Sequence, residues 1–77
     1  MQLNIKYFGM LTEVTTCNEE DINFKGGTVS DLLEVLFSRY PSLKSKTFRV
    51  AQNNNLSPNE CEVSANKIAL LPSFAGG

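Results

Sequence analysis

The stretch TVSDLLEVLFSRYP, residues 28–41, decides the fold because it carries the strongest helix pattern in the chain. Thr28 is a good N-cap, and Asp31 three residues later can complete a capping box. Apolar residues then recur at spacings of three and four, which predicts one apolar stripe along a helix near 28–40. Pro41 cannot continue a helix and disfavours helical angles at Tyr40. The predicted stripe consists of Val29, Leu32, Leu33, Leu36, Phe37 and Tyr40.

Short strand patterns lie on both sides of this helix. Leu3, Ile5 and Tyr7 alternate with polar residues, which is the period of a strand with one buried face. Ile22 and Phe24 share one face of a second predicted strand over 20–24. The other predicted elements are an ambiguous helical turn or loop at 10–14, a strand over 48–52, a turn at the asparagines of 53–55, a weak strand over 60–63 and a last strand over 67–71.

This order of elements predicts one small α+β domain. The chain has 77 residues, enough for a single domain. One amphipathic helix packed on one face of a mixed sheet buries both apolar faces, and this is the β-grasp arrangement. We expect the β-grasp domain to span 1–72 and a flexible C-terminal tail to span 73–77. The predicted core residues are Leu3, Ile5, Leu32, Leu33, Leu36, Val50, Ile68 and Leu70.

The composition argues against several function classes. The net charge is -1 and no basic stripe is visible, so nucleic acid is a poor partner. The apolar runs are far shorter than the ~20 residues that cross a bilayer, and the start of the chain lacks a signal-peptide core, so we expect a cytoplasmic protein without a membrane partner. With no histidine and only Cys17 and Cys61 as cysteines, neither a metal site nor Ser-His-Asp or Cys-His catalysis is expected.

The tail Ser73-Phe74-Ala75-Gly76-Gly77 is the candidate for chemistry. Two glycines without β-carbons can pass through a narrow channel, with Ala75 as a small neighbour. Activation of the Gly77 carboxylate as an acyl-adenylate would let a sulfur or nitrogen nucleophile attack it. A short tether could then carry the acyl group between active sites. On composition alone, a frayed terminus is the competing interpretation.

The same residues resemble a known family. The run Ala69-Leu70-Leu71-Pro72-Ser73-Phe74-Ala75-Gly76-Gly77 is similar to the end of the molybdopterin synthase small subunit, a ubiquitin-like sulfur carrier. The stretches 5–13, 28–33 and 50–55 are similar to that family's first strand and turn, helix start, and strand with an asparagine turn. The chain departs from the pattern at Ser73, where the family often has a second proline, and at 64–67, where it often has an acidic turn.

This resemblance implies a sulfur-carrier function. An E1-like enzyme would adenylate Gly77 with ATP, and a sulfur donor protein would convert it to a thiocarboxylate. The large synthase subunit would receive the tail, with Gly76 and Ala75 threaded into its active site. Sulfur would pass to cyclic pyranopterin monophosphate in molybdenum cofactor biosynthesis. The resemblance implies no bound cofactor and no catalytic groups beyond Gly77, the chain being the sulfur-donating subunit of a sulfurtransferase complex.

Two other functions stay open at this point. A sister sulfur carrier for thiamine thiazole or tRNA thiolation would share the tail and the fold. A β-grasp interaction domain would share the fold and perform no acyl chemistry. The length and the Leu-Leu-Pro approach to the tail favour the molybdopterin carrier over the thiamine carrier.

An apolar patch beside the tail is the predicted partner surface. Phe8 lies out of phase with the core residues of the first strand, and Ala69 and Leu71 lie out of phase with those of the last. The β-grasp fold makes these strands neighbours, so we expect one exposed patch of the kind that marks partner surfaces. A loop covering the patch is the competing interpretation. The predicted partner-binding residues are Phe8, Ala69, Leu71, Pro72 and Phe74.

Overall fold

The structure, a computed structural model, describes residues 1–72. The predicted tail residues Phe74, Ala75, Gly76 and Gly77 lie outside the described residues. The elements in chain order are β1 (Gln2–Tyr7), α1 (Leu11–Thr15), β2 (Glu19–Asn23), α2 (Val29–Arg39), a 3-10 helix (Pro41–Ser45), β3 (Phe48–Gln52), β4 (Asn55–Leu56) and β5 (Lys67–Pro72).

The five strands form one mixed sheet in the order β2-β1-β5-β3-β4. β1 pairs antiparallel with β2 and parallel with β5, which in turn pairs antiparallel with β3. The last strand therefore lies at the centre of the sheet. Helix α2 contributes four buried residues to the core that the sheet also lines. The predicted β-grasp fold is confirmed.

Helix α2 begins where its capping pattern predicts. Oγ1 of Thr28 accepts a hydrogen bond from the Asp31 backbone N–H at 3.3 Å, and Oδ2 of Asp31 accepts one from the Thr28 N–H at 2.9 Å. This reciprocal pair satisfies two N–H groups that the first turn leaves free. The helix ends at Arg39, and Pro41 opens the 3-10 helix that follows.

The core agrees with the predicted apolar faces. All eight predicted core residues are buried, and Leu32 and Leu36 have 0% exposure. The 3-10 helix adds Leu43, which the sequence patterns did not place in the core. The asparagine turn is confirmed, because Asn53 and Asn54 both adopt positive φ angles. The ambiguous segment at 10–14 contributes to helix α1.

The predicted strand at 60–63 is wrong. This segment makes only an isolated bridge, between Thr28 and Glu62. The buried side chain of Gln52 takes the place of a neighbouring strand. Its Nε2 donates to the Glu62 carbonyl at 3.0 Å, and its Oε1 accepts from the backbone N–H groups of Ser64 and Ala65 at 2.9 and 3.1 Å. The edge strand β4 lies earlier, at Asn55–Leu56, and pairs with β3.

Candidate functional site

The face of the sheet opposite α2, called here the outer face, carries the predicted partner residues. In the β1–β5 register Lys6 lies opposite Ala69 and Tyr7 opposite Leu70. One step further along this register, Phe8 comes beside Leu71. The Phe8 backbone N–H donates to the Leu70 carbonyl at 3.2 Å, which holds Phe8 beside Leu71. We call Phe8, Ala69 and Leu71 the outer patch.

The outer patch is open to partners. The Phe8 side chain is 43% exposed, while Ala69 and Leu71 are half-buried. Phe8 and Ala69 line a shallow cavity of about 380 Å³ on the outer face. Ala51, 4% exposed, is part of the same lining. Small alanines beside an exposed aromatic ring make a surface that can receive an apolar side chain.

Two lysines border the outer patch. Lys6 and Lys67 line the same cavity and are both exposed. Neither lysine was predicted as a site residue, although their positions out of phase with Ile5 and Ile68 are visible in the sequence. Lys6 lies opposite the exposed Glu19 in the β1–β2 register, so a partner that covers the patch would meet charges of both signs beside Lys6 and a positive charge at Lys67.

Pro72, the last residue of β5, is held in place by the loop after β1. It pairs with Phe48 of β3. Gly9 has φ 59°, and a Cβ atom there would lie 2.7 Å from the Pro72 Cγ. The Gly9 carbonyl accepts from both the Oγ1 and the N–H of Thr12, at 2.9 and 3.1 Å. Gly9 therefore packs directly on Pro72, the residue from which the tail continues. This role was not predicted, because the contact joins residues that are far apart in the sequence.

A separate polar cluster fixes β2 and α2 to the rest of the domain. The Glu20 carboxylate accepts hydrogen bonds from the hydroxyls of Tyr7 and Tyr40, at 2.7 and 2.6 Å. Arg39 lies 3.1 Å from the same carboxylate. The two tyrosine rings meet edge to face, with centroids 6.1 Å apart. The cluster joins β1, β2 and the end of α2.

Ionisation follows from these contacts. Burial raises the pKa of Glu20, but the hydrogen bonds from Tyr40 and Tyr7 and the charge of Arg39 outweigh burial and bring the pKa below its usual value. Burial and the bond to Glu20 raise the pKa of Tyr7. The bond to Glu20, together with burial, raises the pKa of Tyr40 to about 12. Near pH 7 the Glu20 carboxylate is therefore ionised and both tyrosine hydroxyls are neutral. These are the protonation states in which the hydroxyls donate to the carboxylate and stabilise the fold.

The described part of the chain offers few other chemical groups. Within residues 1–72, no group of three or more histidine, cysteine or acidic side chains is placed to hold a metal ion. Among the described helices, none is long and apolar enough to cross a membrane. Cys17 is half-buried and Cys61 exposed, and both are free thiols.

The sheet order, the crossing helix and the central last strand define a ubiquitin-like β-grasp protein. The chain belongs to the ThiS family, whose sequence model matches residues 5–77. The match runs through Gly76 and Gly77. The chain is therefore a member of a family of ubiquitin-like sulfur carriers.

Solved structures share the fold. SAMP1 from Haloferax volcanii is 22% identical with a TM-score of 0.82, and 100% of each chain is covered. A Pyrococcus furiosus protein described as molybdopterin converting factor, subunit 1, is 20% identical with a TM-score of 0.86, covering 96% of this chain and 99% of that one. A chain of the Amycolatopsis orientalis BexX/CysO complex is 22% identical with a TM-score of 0.71, covering 97% and 99%.

The predicted site residues divide into two groups. Phe8, Ala69, Leu71 and Pro72 lie close together at the end of β5 and on the outer face. The tail residues, Phe74, Ala75, Gly76 and Gly77, lie outside the described residues. Their roles in catalysis, threading and partner binding remain predictions.

Proposed function

We propose that this chain is the sulfur-carrier small subunit of a molybdopterin synthase and that Gly77 is its reacting residue. The observation that carries the proposal is a Gly76-Gly77 pair inside the family match, four and five residues after the end of a strand that is paired on both sides. β5 gives the tail a fixed starting point at Pro72. In this proposal partners bind the β-grasp domain, and the chemistry occurs on the tail that follows it.

The proposed reaction activates a carboxylate that is otherwise a poor electrophile. A Gly77 carboxylate oxygen attacks the α-phosphorus of ATP bound to an E1-like enzyme, and pyrophosphate leaves. The terminal sulfur of a persulfide on a donor protein then attacks the carbonyl carbon and displaces AMP, which gives an acyl disulfide. A thiol cleaves the S–S bond of this intermediate, forms a disulfide with the donor cysteine, and leaves a thiocarboxylate on Gly77. In the large synthase subunit this sulfur passes to cyclic pyranopterin monophosphate. ATP belongs to the activating enzyme, and this chain binds no cofactor in the proposed cycle.

The outer patch supplies the partner contact in this proposal. A partner that covers Phe8, Ala69 and Leu71 also lies beside Pro72, where the tail begins. Five tail residues reach at most about 16–18 Å when fully extended. The tail can therefore reach a partner's active site only if the partner binds close to the end of β5. Proximity of this kind is a large part of the rate advantage in group transfer.

Intact-mass spectrometry tests the acyl chemistry. The chain is incubated with ATP, the activating enzyme and a sulfur donor. We expect a mass gain of one sulfur minus one oxygen, located in the C-terminal peptide. A persulfide on Cys17 or Cys61 would add a whole sulfur instead, so a Cys17→Ser/Cys61→Ser double variant is the matched control and should still gain the thiocarboxylate.

Two tail variants sharpen this test. Deletion of Gly77 should abolish the gain, because Gly76 would present its carboxylate one residue short, and a displacement of ~1 Å already costs about a hundredfold in rate. Gly76→Val should reduce transfer, because a β-branched side chain restricts and widens the tail. Both variants should melt at the wild-type temperature. A Gly77-deleted chain that still delivers sulfur would contradict the proposal and favour the plain interaction domain.

The acceptor distinguishes the molybdopterin carrier from its sister carriers. The likeness in fold to the Pyrococcus furiosus protein described as a molybdopterin converting factor is consistent with a molybdopterin carrier. Membership of the ThiS family is equally consistent with a carrier for thiamine thiazole or tRNA thiolation. The thiocarboxylate form is offered in parallel to the large synthase subunit with cyclic pyranopterin monophosphate and to a thiazole synthase. Consumption only by the second would assign the chain to the sister pathway.

A further inference from the structure

A second open surface lies beside the edge of the sheet, next to β3. A groove of about 610 Å³ runs between α2 and the edge of β3, and we call it the edge groove. It shares no lining residue with the outer-face cavity. Its lining includes Phe37, Lys46, Phe48, Arg49 and Leu56.

The edge groove has an apolar interior whose two aromatic rings, Phe37 and Phe48, pack against the core but are only partly covered by it. The rings of Phe37 and Phe48 meet at a centroid distance of 6.4 Å with planes 63° apart, and both are only half-buried. Leu56 is 57% exposed. Three large apolar side chains that remain accessible at one site are a feature of interaction surfaces.

The backbone beside this apolar interior is an open strand edge. The Val50 carbonyl points to the β4 side, because it accepts from the Ser57 N–H at 2.9 Å. In an antiparallel ladder the N–H and C=O of a residue point the same way and alternate along the strand, so those of Phe48 also point to this side. β4 pairs only with Ala51 and Gln52 and does not reach Phe48. An extended chain can therefore pair with the edge at Phe48.

The charges at the edge groove have one sign. Lys46 and Arg49 line it, and no acidic residue does, although the chain as a whole carries a net charge of -1. A bound segment with carboxylates at its ends would meet both cations.

From these three features we propose that the edge groove binds an extended segment of a partner protein. The segment pairs with the edge at Phe48, inserts an apolar side chain between Phe37 and Leu56, and directs acidic residues toward Lys46 and Arg49. Strand addition of this kind draws affinity from backbone hydrogen bonds and specificity from the pockets beside them. The site goes beyond sulfur transfer, and its lining shares no residue with the outer-face cavity, although Arg49 lies opposite Leu71 in the β3–β5 register.

Peptide titration of the full chain tests the site without ATP or any enzyme. The probe is the capped peptide Asp-Asp-Ile-Val-Ile-Val-Asp-Asp, added to ¹⁵N-labelled protein. We expect saturable amide shifts at residues 46–50 and at Leu56, Ser57 and Asn59. A peptide with lysine in place of each aspartate should bind about tenfold more weakly, since attraction becomes repulsion. A peptide with proline at both valines should also weaken binding, because it removes N–H donors.

A pair of variants provides the control. Leu56→Glu should weaken the aspartate peptide at least about tenfold, because it removes an apolar contact and adds a repelling charge. Val35→Glu changes another exposed apolar side chain, outside the groove, and should leave the affinity unchanged. Both sites are accessible, so both variants should keep the wild-type spectrum elsewhere.

Several results would overturn the proposal. These are the absence of saturable shifts, shifts centred on Phe8 and Ala69, equal affinity for the aspartate and lysine peptides, or equal affinity for the proline peptide. A chain truncated after Pro72 tests whether residues 73–77 of the same chain occupy the groove instead of a partner segment. If truncation strengthens peptide binding at least about tenfold, residues 73–77 of the same chain compete for the groove and the partner-segment proposal fails.

Discussion

Replacing Glu20 by glutamine should destabilise the domain through the loss of a single negative charge. Glu20 lies on the edge strand β2 but accepts hydrogen bonds from Tyr7 of β1 and from Tyr40 at the end of α2. Glutamine has nearly the same shape and keeps one acceptor oxygen. The substitution therefore tests the charge rather than the packing.

The magnitude follows from the contacts. A hydrogen bond to a charged group contributes about 1.5–3 kcal/mol and a neutral one about 0.5–1.5 kcal/mol, so two such exchanges lose about 2–3 kcal/mol. Arg39 adds less, because its side chain is 47% exposed and exposed ion pairs contribute about 0–1 kcal/mol. A loss of about 2–3 kcal/mol lowers the melting temperature of a domain of this size by on the order of 10–20 °C.

The pH dependence has a definite sign. The pKa of Glu20 in the folded protein lies below its usual value of 4.5. The stabilisation from the ionised form is therefore complete above pH 4.5 and is lost as the pH falls through the lowered pKa. The stability difference between wild type and Glu20→Gln should be full at pH 7 and should shrink in acid, where protonated Glu20 resembles glutamine.

Urea unfolding followed by circular dichroism, at pH 7, 5 and 3.5, measures this difference. Glu19→Gln is the control, because Glu19 accepts only an exposed hydrogen bond from Asn4, and we expect a change of at most about 0.5 kcal/mol. Tyr40→Phe in both backgrounds measures the coupling between the two partners. Equal destabilisation by the Glu19 and Glu20 variants, or a Glu20 effect that does not depend on pH, would refute the reasoning.

Three further substitutions test the core, the base of the tail and the outer patch. Leu36→Ala should cost about 2–5 kcal/mol in urea unfolding, because Leu36 is fully buried, whereas Val35→Ala on the same helix should cost far less. Gly9→Ala should destabilise by about 1–3 kcal/mol and shift the NMR signals of Pro72, because its Cβ meets Pro72 at 2.7 Å in a left-handed backbone conformation; unchanged signals would contradict the packing. Phe8→Asp should leave the melting temperature nearly unchanged but weaken calorimetric binding to the large synthase subunit at least about tenfold, and equal affinity would remove the outer patch from the interface.

Local rules were enough to predict most of the fold. The capping box at Thr28 and the alternation of Leu3, Ile5 and Tyr7 depend only on residues close in sequence, and the structure confirms both. A β-grasp arrangement then follows, because one apolar helix stripe and a few half-apolar strands leave few ways to bury both surfaces. The burial of Ile68 and Leu70 on one face of β5 has the same origin.

The errors occur where distant residues decide the conformation. The sequence predicts a weak strand at 60–63, yet the backbone hydrogen bonds of this region go to the side chain of Gln52 and to the Gly27 carbonyl. No local pattern reveals that a buried amide will replace a strand. The same holds for Gly9 and Pro72, whose contact joins residues from opposite ends of the described chain.

The placement of β5 gives the sulfur-carrier proposal a mechanical basis. A partner that draws the tail into its active site also pulls on Pro72, the last residue of β5. β5 pairs with β1 over four residues and with β3 over five, so it cannot leave the sheet without breaking two ladders. An edge strand such as β2 would have to break only one. Binding energy at the outer patch can therefore be used to place the Gly77 carboxylate rather than being lost in a local unfolding of the carrier.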